Sequence, residues 1–600
     1  MSVFESEKQS VSIEKNNNGV AVIRINSPGS DNNLIDLSAF LEIEKFLEEI
    51  ESGLDMVESD DEITAVVIES GKARSFINGA DISEYLDFML ADEGRTYSMK
   101  TQSITEKIDG SRAPFVASIN GPCLGIGLEI AIACDYRIAS DSADTYLGMN
   151  QIEYGLIPCA GGMYRLAGMI GLKDTLDLLL SGDSVNAGYA ENIGLLDEVV
   201  PVELLGDIAR QRALELAKKE LKTGGFEIRG MLNKLVSDNP ASRKMTIERA
   251  RKHIKYHSEH NAGAAAMAID ALETGLSNLS RGLHAEAVYF GELCVTRYAK
   301  QMIRTGLAIS SLRERVASIP DKPLSKLAVI GTGGAGPAVA CLAARHDIAV
   351  RIKGENREDA ASALGKCYGY QQKNPKESRA GISHTDNKFD RISASYDYSG
   401  FRNADAVLES LGEDPDPKIA VLRDVESLAG GDRLYISNSF ILPVSEISAQ
   451  SRMPENVIGM RFFDPIFENE LVEIIRTVKT SENALVKARA FVRDIGRLPI
   501  VVSDGAGSFT PRVWMCYLNE ALHLIAEGLS LESIEDAMTE FGFDRGPLAM
   551  IDDLGADLVE SSLSTLHRYF GERIKPHPFL ESMIINERLG RKSGRGFYKY

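Results

Sequence analysis

Short β-type runs alternate with helical stretches in two separate regions, and this pattern limits the fold of the chain more than any other feature. In the first region the runs are VAVIRI (20–25), ITAVVIES (63–70), PFVASIN (114–120) and YRIA (136–139). In the second region they begin with KLAVIG at Lys326 and continue through AVRIK, DAVLES, DRLYISN, VIGMRFF and ELVEII. Strands that alternate with helices indicate layered α/β domains. The sequence therefore predicts an α/β multidomain protein.

A helical region follows each of these two α/β regions. Residues 206–320 lose the β-type runs and contain Ala-rich stretches, and residues 504–600 are helical again. Because 600 residues exceed what a single hydrophobic core serves, we expect several domains. The predicted division is an α/β core over 1–205, a helical extension with linker helices over 206–320, a second α/β domain over 324–503 and a helical C-terminal domain over 504–600.

The composition excludes several classes of partner. A net charge of -21 argues against nucleic acids and anionic membrane surfaces, because both attract positive patches. We find no secretory signal and no apolar run of the length that crosses a bilayer, so we expect a cytoplasmic protein without a transmembrane segment. The seven cysteines are scattered and form no CxxC pair, so no metal site is expected.

The stretch from Gly121 to Gly162 contains one acidic residue, Glu129, inside an apolar run. GIGL precedes it and IAIA follows it, so a helix that begins at the glycines buries its carboxylate. A buried carboxylate without a partner is costly or shifts its pKa. Glu129 is therefore either a hydrogen-bonded core acid or a residue that carries chemistry.

A glycine-rich loop, KLAVIGTGGAG, lies between a β-type run and an Ala-rich helical stretch in the second region. Its Gly331, Gly333 and Gly336 have the spacing that lets a backbone approach a pyrophosphate at a helix N-terminus. This context predicts a Rossmann-type fold. Glu355, after the AVRIK run, and Glu409, in the DAVLES run, complete the candidate cofactor-binding residues. A Rossmann fold retained for packing, without tight cofactor binding, is the alternative.

With these motifs in order, the chain resembles the multifunctional α-subunits of fatty-acid β-oxidation. The first half is similar to the crotonase (enoyl-CoA hydratase/isomerase) family in SFINGADISEYL (75–86), NGPCLGIGLEIAIACDYRIA (120–139) and GLIPCAGGMYRL (155–166). The second half is similar to 3-hydroxyacyl-CoA dehydrogenases in the glycine-rich loop, SNS (437–439), GMRFFDP (459–465), LVEII (471–475), YLNEALHLIAEG (517–528) and GRKSGRGFYKY (590–600). The resemblance implies a crotonase-type ββα spiral, a Rossmann domain and an all-α C-terminal domain.

In the crotonase half, the resemblance implies a set of catalytic residues. The backbone N–H groups of Ala80 and Ile126 match the pair that holds the thioester oxygen, and Glu129 matches one of two glutamates that manage the water and proton of hydration. The second glutamate falls on Gln151, which can hydrogen-bond but cannot exchange a proton near neutral pH. Glu153 either takes over that role or is a surface acid. A single carboxylate still suits isomerisation, thioester hydrolysis or decarboxylation.

In the dehydrogenase half, three of four implied chemical positions are substituted. The glutamate matches Glu473, but the histidine falls on Arg461, the serine on Phe440 and the asparagine on Pro511. Arginine stays protonated and cannot act as a base, so we expect this half not to oxidise 3-hydroxyacyl-CoA. Arg461 and Glu473 are expected to form an ion pair.

The resemblance also bears on ligands and partners. It implies a coenzyme A thioester as substrate, NAD as a possible cofactor and a thiolase-like protein as a possible partner. Family α-subunits carry two helical domains after the Rossmann domain, whereas this sequence ends at Tyr600 after the first, so we expect a homo-oligomer through the C-terminal helical domain.

These observations lead to one preferred interpretation and two alternatives. The preferred interpretation is a crotonase-type enzyme joined to a dehydrogenase-like module without dehydrogenase activity. The first alternative is a functional enoyl-CoA hydratase and 3-hydroxyacyl-CoA dehydrogenase of β-oxidation. The second is a non-catalytic scaffold that binds acyl-CoA or a nucleotide.

Overall fold

The computed structural model describes residues 10–15, 18–28, 32–52, 63–221, 240–257, 262–372, 388–428, 433–541, 543 and 545–600. Of these, residues up to Ala308 form one compact unit, and those from Ile309 onward form a second. The α/β multidomain class predicted from the alternating pattern is confirmed. The finer division into four domains stays a prediction.

The first unit combines nine short strands with a larger set of helices in its described residues. The strands are β1 (Val11–Lys15), β2 (Val20–Ile25), β3 (Ala65–Ser70), β4 (Phe115–Ile119), β5 (Cys123–Leu124), β6 (Tyr136–Ser140), β7 (Tyr146–Gly148), β8 (Ser184–Asn186) and β9 (Glu198–Val200). The helices are α1 (Leu37–Ser52), α2 (Ala91–Asp109), α3 (Ile126–Ala131), α4 (Gly162–Ile170), α5 (Leu172–Ser181), α6 (Ala187–Asn192), α7 (Leu205–Ala217), α8 (Pro240–His257), α9 (Ala262–Ser277), α10 (Leu279–Cys294) and α11 (Arg297–Ala317), the last shared by both units.

Two sheets organise the described part of this unit. The larger has the strand order β1-β2-β3-β4-β6-β9, and the smaller has the order β5-β7-β8. Strands β1 and β2 pair antiparallel, and the other neighbours in the larger sheet pair parallel. Parallel strands need crossover connections, and these carry the helices that the alternating sequence pattern predicted.

The first four residues of strand β3 are all apolar because both faces of the strand are covered there. Val66 and Ile68 belong to the main hydrophobic core, whereas Ala65 and Val67 face a second core that includes Ala209 of α7. All four side chains are buried. A strand that is covered on both faces has no solvent-facing position for a polar residue.

The second unit contains one large sheet and a helical domain in its described residues. The strands are β10 (Lys326–Ile330), β11 (Ala349–Lys353), β12 (Ile392–Ser395), β13 (Ala406–Glu409), β14 (Leu434–Ser437), β15 (Val457–Phe462), β16 (Leu471–Arg476) and β17 (Leu498–Ser503). The helices are α12 (Ala335–Arg345), α13 (Arg357–Gln372), α14 (Pro415–Leu428), α15 (Val444–Ser448), α16 (Glu482–Asp494), α17 (Thr510–Ala526), α18 (Leu531–Phe541), α19 (Pro547–Leu554), α20 (Ala556–Phe570) and α21 (Phe579–Ile585).

The sheet of the second unit has the strand order β12-β11-β10-β13-β14-β15-β16-β17. Strands β15 and β16 pair antiparallel, and the other neighbours pair parallel. Helices α17 to α21 pack around a separate core that includes Met515, Leu518, Leu563 and Leu566. This arrangement confirms the predicted Rossmann-type sheet followed by a helical domain.

Three further properties apply to the described ranges. No helix within them is long and apolar enough to cross a membrane. They contain no group of three or more His, Cys, Asp and Glu side chains that is suited to a metal ion. The seven cysteines are all free thiols.

Candidate active site

The buried carboxylate of Glu129 is the centre of the candidate site in the first unit. Helix α3 begins directly after Gly125, as the glycine-rich sequence predicted, and the side chain of Glu129 is 0% exposed. Its Oε1 accepts hydrogen bonds from Gln151 Nε2 at 3.0 Å and from the Cys159 amide at 3.2 Å. Its Oε2 accepts from the amides of Ala160 at 2.8 Å and Gly162 at 2.9 Å.

Burial and hydrogen bonding act on this carboxyl group in opposite directions. Burial raises the pKa of Glu129 above its ordinary value, while the amide donors of Gly162, Ala160 and Cys159 favour the ionised form. The net direction is upward, because removal from water outweighs the donors. A carboxyl group with a raised pKa exchanges a proton closer to neutral pH than an exposed one.

The close approach of the turn to Glu129 requires a glycine at position 162. A Cβ atom on Gly162 would lie 2.5 Å from Cγ of Glu129 and 2.8 Å from its Oε2. Both distances are shorter than nonbonded atoms tolerate. A larger residue at this position would therefore separate the amide from the carboxylate that it binds.

Gln151 lies on a short 3-10 helix, Asn150–Tyr154, that follows β7. Its amide nitrogen binds Glu129, and its Oε1 is buried without a hydrogen-bond partner among the described residues. Gly125 has a φ of +51°, and a Cβ there would approach Gln151 Nε2 to 3.5 Å. Glu129 and Gln151 are thus brought together, with one side-chain oxygen left as a free acceptor.

Glu153 takes a different position on the same 3-10 helix. Its side chain is exposed, and its Cγ lies beside Gly182, where a Cβ would come within 3.0 Å. No hydrogen bond joins it to Glu129 in the described residues. The structure therefore does not bring Glu153 into the group formed around Glu129.

The segments that carry Ala80 and Ile126 run side by side. A β-bridge links Ile77 to Cys123, and the Leu124 amide donates to the Ile77 carbonyl at 3.0 Å. No hydrogen bond within the described residues uses the N–H of Ala80. Ile126 is the first residue of α3, so its N–H has no acceptor inside the helix. Both backbone donors are therefore available to a bound oxygen atom.

Glu286 is a second buried carboxyl group in this region, and sequence reasoning missed it. It lies on α10 and is 0% exposed. Its Oε1 accepts hydrogen bonds from Gln102 Nε2 at 3.0 Å and from the Gly161 amide at 2.7 Å. Its Oε2 is buried without a hydrogen-bond partner in the described part of the chain.

A helical period in the sequence contained a signal for Glu286. Gly282, Glu286 and Phe290 are four residues apart, so they share one face of a helix, and all three are buried. In the segment GLHAEAVYFG the glutamate stands alone on that apolar face. A lone acidic residue on the apolar face of a helix is the same kind of signal as the acidic residue Glu129 in its apolar run.

The glycine-rich loop of the second unit connects β10 to α12. Gly331 has a φ of +110°, and a Cβ there would lie 2.3 Å from the Ser410 carbonyl oxygen. A Cβ on Gly336 would lie 2.4 Å from the carbonyl oxygen of Gly331, whereas a Cβ on Gly333 would meet nothing within 4 Å. Two of the glycines thus permit close packing, and the third faces open space where a ligand can approach the backbone.

The two acidic candidates for cofactor binding differ in their surroundings. Glu355 follows β11 and is exposed. Glu409, at the end of β13, is 0% exposed and accepts hydrogen bonds from the Leu411 amide at 2.6 Å, Lys418 Nζ at 2.8 Å and Ser437 Oγ at 2.9 Å. Its oxygens are occupied by protein donors, and a role in cofactor binding stays a prediction for both residues.

The substituted positions of the dehydrogenase half lie together in the second unit. Arg461 on β15 stands opposite Glu473 on β16 in the antiparallel register, and Arg461 Nη1 lies 3.7 Å from Glu473 Oε2. The guanidinium group is 4.5 Å from the centre of the Phe440 ring and donates to the Phe440 carbonyl. Glu473 also accepts from the amide of Thr510 at 3.1 Å, next to Pro511. The expected ion pair is confirmed.

Arg461 loses its proton more readily than an exposed arginine but keeps it at neutral pH. Burial lowers the pKa of Arg461 to about 10, against the attraction of Glu473 and Glu413. The side chain therefore remains a cation at neutral pH. Within the described residues, Arg461 Nη1 and Glu473 Oε2 have no hydrogen-bond partner, so the pair is in electrostatic contact without a direct hydrogen bond.

Three family models match successive parts of the chain. Residues 15–276 match enoyl-CoA hydratase/isomerase. Residues 326–505 match the NAD binding domain of 3-hydroxyacyl-CoA dehydrogenase, and residues 507–600 match its C-terminal domain. The order of the three agrees with the order expected from the motifs.

Curated relatives match over almost the full sequence. The chain is 32% identical over 599 residues to the fatty acid oxidation complex subunit alpha of Shewanella amazonensis. The matched region covers 99% of this chain and 83% of the relative. It is 32% identical over 596 residues to the protein of the same name from Shewanella loihica, with the same two coverages. Among solved structures, (S)-3-hydroxybutyryl-CoA dehydrogenase PaaH1 from Ralstonia eutropha is 25% identical with a TM-score of 0.44, and covers 46% of this chain and 99% of its own.

The models and the relatives agree on both halves and on their order. The chain therefore belongs to the fatty acid oxidation complex α-subunit family, and it joins an enoyl-CoA hydratase/isomerase region to a 3-hydroxyacyl-CoA dehydrogenase region.

Proposed function

We propose that the first half of the chain processes an acyl-CoA thioester by crotonase-type chemistry, with Glu129 as its acid/base. The observation that carries this proposal is the buried carboxylate of Glu129, which accepts four hydrogen bonds. Beside it are two backbone donors, of Ala80 and Ile126, for which the described part of the chain offers no acceptor. The N–H groups of Ala80 and Ile126 bind the thioester oxygen as negative charge develops on it. Preorganised donors of this kind are worth about 3–4 kcal/mol each.

Gln151 positions water or substrate in this proposal. Its amide nitrogen holds the carboxylate of Glu129, and its free Oε1 is an acceptor for a water molecule or a substrate donor. Because an amide does not exchange protons near neutral pH, one carboxyl group carries all proton transfer. Hydration, double-bond isomerisation, thioester hydrolysis and decarboxylation are the reactions that this arrangement serves.

For the second half, the comparisons favour NAD-dependent oxidation of 3-hydroxyacyl-CoA. Both dehydrogenase models match, and the relatives are named as α-subunits of a fatty acid oxidation complex. NAD would lie against the glycine-rich loop, where Gly333 faces open space, and would accept the hydride from the substrate. This two-activity enzyme is the proposal that the comparisons support better.

The charge at Arg461 favours a second candidate, in which the dehydrogenase half does not oxidise substrate. A buried arginine that stays protonated cannot remove the proton of a 3-hydroxyl group. Phe440 and Pro511 have no side-chain hydrogen-bonding group to assist it. In this candidate the module serves as a scaffold or binds a nucleotide without turnover.

One experiment separates these candidates. The purified full chain is incubated with several enoyl-CoA and 3-hydroxyacyl-CoA thioesters, with and without NAD, and products are identified by mass spectrometry. NADH formation that saturates with 3-hydroxyacyl-CoA supports the two-activity enzyme, provided that a contaminating host enzyme is excluded. Turnover of enoyl-CoA without NADH formation supports the second candidate. Binding without any turnover contradicts both and supports a non-catalytic scaffold.

Variants test the assignment of the acid/base itself. Glu129→Gln keeps the shape of the side chain and removes its proton exchange, so turnover of enoyl-CoA should fall by about 100- to 10,000-fold. Glu153→Gln is the matched control, because it makes the same change at an exposed residue in the same region. Equal effects of the two substitutions contradict the assignment.

We also propose that the chain self-associates through residues 504–600. Phe509, just before helix α17, is 65% exposed, and Val513 on that helix is 55% exposed. Phe541 at the end of α18 is 75% exposed. Exposed apolar side chains of this size favour association. Light scattering that gives a monomer mass at every concentration contradicts self-association.

A thiolase-like protein as partner and a cytoplasmic location also stay proposals.

A further inference from the structure

Two buried carboxyl groups hold opposite sides of one short turn in the first unit. The turn is Cys159–Gly162, which joins the 3-10 helix region to α4. Glu129 accepts from the amides of Cys159, Ala160 and Gly162, and Glu286 accepts from the amide that lies between the last two, Gly161. All four amides of the turn are therefore bound by these two carboxyl groups.

Glu286 is fixed from a second direction by helix α2. Gln102 Nε2 donates to Glu286 Oε1 at 3.0 Å and also to the Leu283 carbonyl at 3.0 Å. The same helix binds the turn directly, because Ser98 and Thr101 donate to the carbonyl oxygen of Cys159. Helices α2 and α10 thus form a frame that sets the direction of the turn amides.

The groups that act on Glu286 include one cation. Neighbouring ionisable side chains on the surrounding elements are Glu129 on α3, Cys159 in the turn, and Tyr164 and Arg165 on α4. Arg165 makes its recorded contacts with other groups: Asp109 at 3.5 Å, Thr105 Oγ1 at 3.3 Å and the Ala160 carbonyl at 3.1 Å. Glu286 therefore has no ion-pair partner in the described residues.

Oxygen Oε2 of Glu286 indicates which of its two protonation states the site suits. This atom is buried and without a hydrogen-bond partner among the described residues. An ionised carboxylate distributes its charge over both oxygens, and a buried charge without partners is strongly unfavourable. A neutral hydroxyl at Oε2 without a partner costs less than a buried charge there, and Oε1 still accepts from Gln102 and Gly161. Burial and the Glu129 carboxylate raise the pKa of Glu286 well above its ordinary value, in the same direction.

We propose that Glu286 is a positioning residue for Glu129. It stays protonated while Glu129 is ionised, and it holds the turn whose amides stabilise the Glu129 carboxylate. This inference rests on the proposed role of Glu129 as the acid/base. Two carboxyl groups in one buried site do not both ionise readily, because their negative charges repel. When Glu286 is neutral, Glu129 is the ionised carboxylate that can accept a proton during the reaction. Glu286 does not contact substrate in this proposal.

A vibrational measurement tests the protonation state without depending on activity. The infrared band of a protonated carboxyl group is recorded on the folded full chain near neutral pH, where exposed carboxyl groups are ionised. We expect a band that disappears in Glu286→Gln and remains in Glu129→Gln. In Glu129→Gln the band should be lost at a lower pH than in the parent, because the neighbouring charge that opposes ionisation of Glu286 is gone. A parent protein without a band that depends on Glu286 overturns the proposal.

The pH dependence of kcat/KM tests positioning. Glu286→Gln keeps the acceptor for Gly161 and Gln102, so the limb of the profile that reports Glu129 should keep its midpoint. Glu286→Leu removes that acceptor and frees the turn, so the midpoint should rise by about one pH unit, the equivalent of one weakened charged hydrogen bond. A Glu286→Gln midpoint that falls by about one unit or more shows that Glu286 is ionised and overturns the proposal. A Glu286→Leu midpoint equal to the parent value overturns the positioning role.

The two measurements distinguish failure of this inference from failure of the proposed function. If Glu129→Gln retains full turnover, the acid/base assignment is wrong, and the infrared result still decides the protonation of Glu286. If Glu286→Leu does not fold, Glu286→Gln and the infrared titration still decide the outcome. Thermal melts of each variant identify which of these cases applies.

Discussion

Replacing Gln151 by glutamate is the most informative single change in the candidate site. Gln151 Nε2 lies 3.0 Å from Glu129 Oε1, so Gln151→Glu creates two carboxyl groups in direct contact. At that separation and an effective dielectric constant of about 20, two negative charges repel by about 5.5 kcal/mol. This energy separates the two ionisations by about four pH units. Near neutral pH the pair therefore holds one proton, and an acid and a base stand side by side.

A pair of this kind supplies the proton exchange that an amide lacks. A positioned acid or base contributes about 100- to 10,000-fold to a rate, so we expect hydration of enoyl-CoA by Gln151→Glu to rise by at least 100-fold over the parent. The assay follows loss of absorbance of the α,β-unsaturated thioester and confirms the added water by mass spectrometry.

Controls at the same two positions show whether the gain arises from the pair. The double variant Glu129→Gln, Gln151→Glu has the new carboxyl group without its neighbour and should lose the gain. Gln151→Met keeps the approximate side-chain size and should not show it. The reasoning is refuted if a folded Gln151→Glu protein hydrates no faster than the parent, or if the double variant is as fast as Gln151→Glu alone.

Three other predictions concern Glu286, Arg461 and the helical domain. Burial and Glu129 raise the pKa of Glu286 in the folded state, so its contribution to stability is complete below the unfolded value of about 4.3 and is lost as the pH rises toward the folded value. The melting temperature of Glu286→Gln relative to that of the parent should therefore increase as the pH rises above about 4.3, and a difference that does not change with pH contradicts this. Arg461→Met leaves Glu473 buried without its cation and should lower the free energy of unfolding by about 3–5 kcal/mol, measured by chemical denaturation against Arg313→Met, which removes an exposed arginine. Val513→Asp adds a charge to an exposed apolar position of α17 and should shift the mass in light scattering toward the monomer, whereas an unchanged mass argues against association through this face.

Local patterns in the sequence predicted the elements well. The run VAVIRI at 20–25 coincides with β2, and the runs at 63–70, 114–120 and 136–139 contain or overlap β3, β4 and β6. The reason is that each of these strands is buried, so its apolar residues are contiguous. The start of α3 after Gly125 and the burial of Glu129 were predicted from the same kind of local signal.

Contacts between distant residues could not be predicted in the same way. Glu286 meets Gly161 across 125 positions and Gln102 across 184, and no local pattern reports such a contact. Glu409 was assigned to cofactor binding from sequence, but Lys418 on α14 lies beside it as a buried counter-ion. The pairing of Arg461 with Glu473 was expected from the family resemblance, and it depends on the register of two antiparallel strands.

Some residues that hold the surroundings of Glu129 in place lie far beyond its own α/β region in the sequence. Glu286 lies on α10, and Lys300 on α11 donates to the carbonyl oxygens of Tyr85, Leu86 and Phe88, just beyond the segment of Ala80. A fragment cut after residue 205 would leave the Gly161 amide without its acceptor and would remove both acceptors that the Gln102 side chain has on α10. Dissection of this protein into separately expressed halves should therefore keep the chain intact to Ala308, where its first compact unit ends.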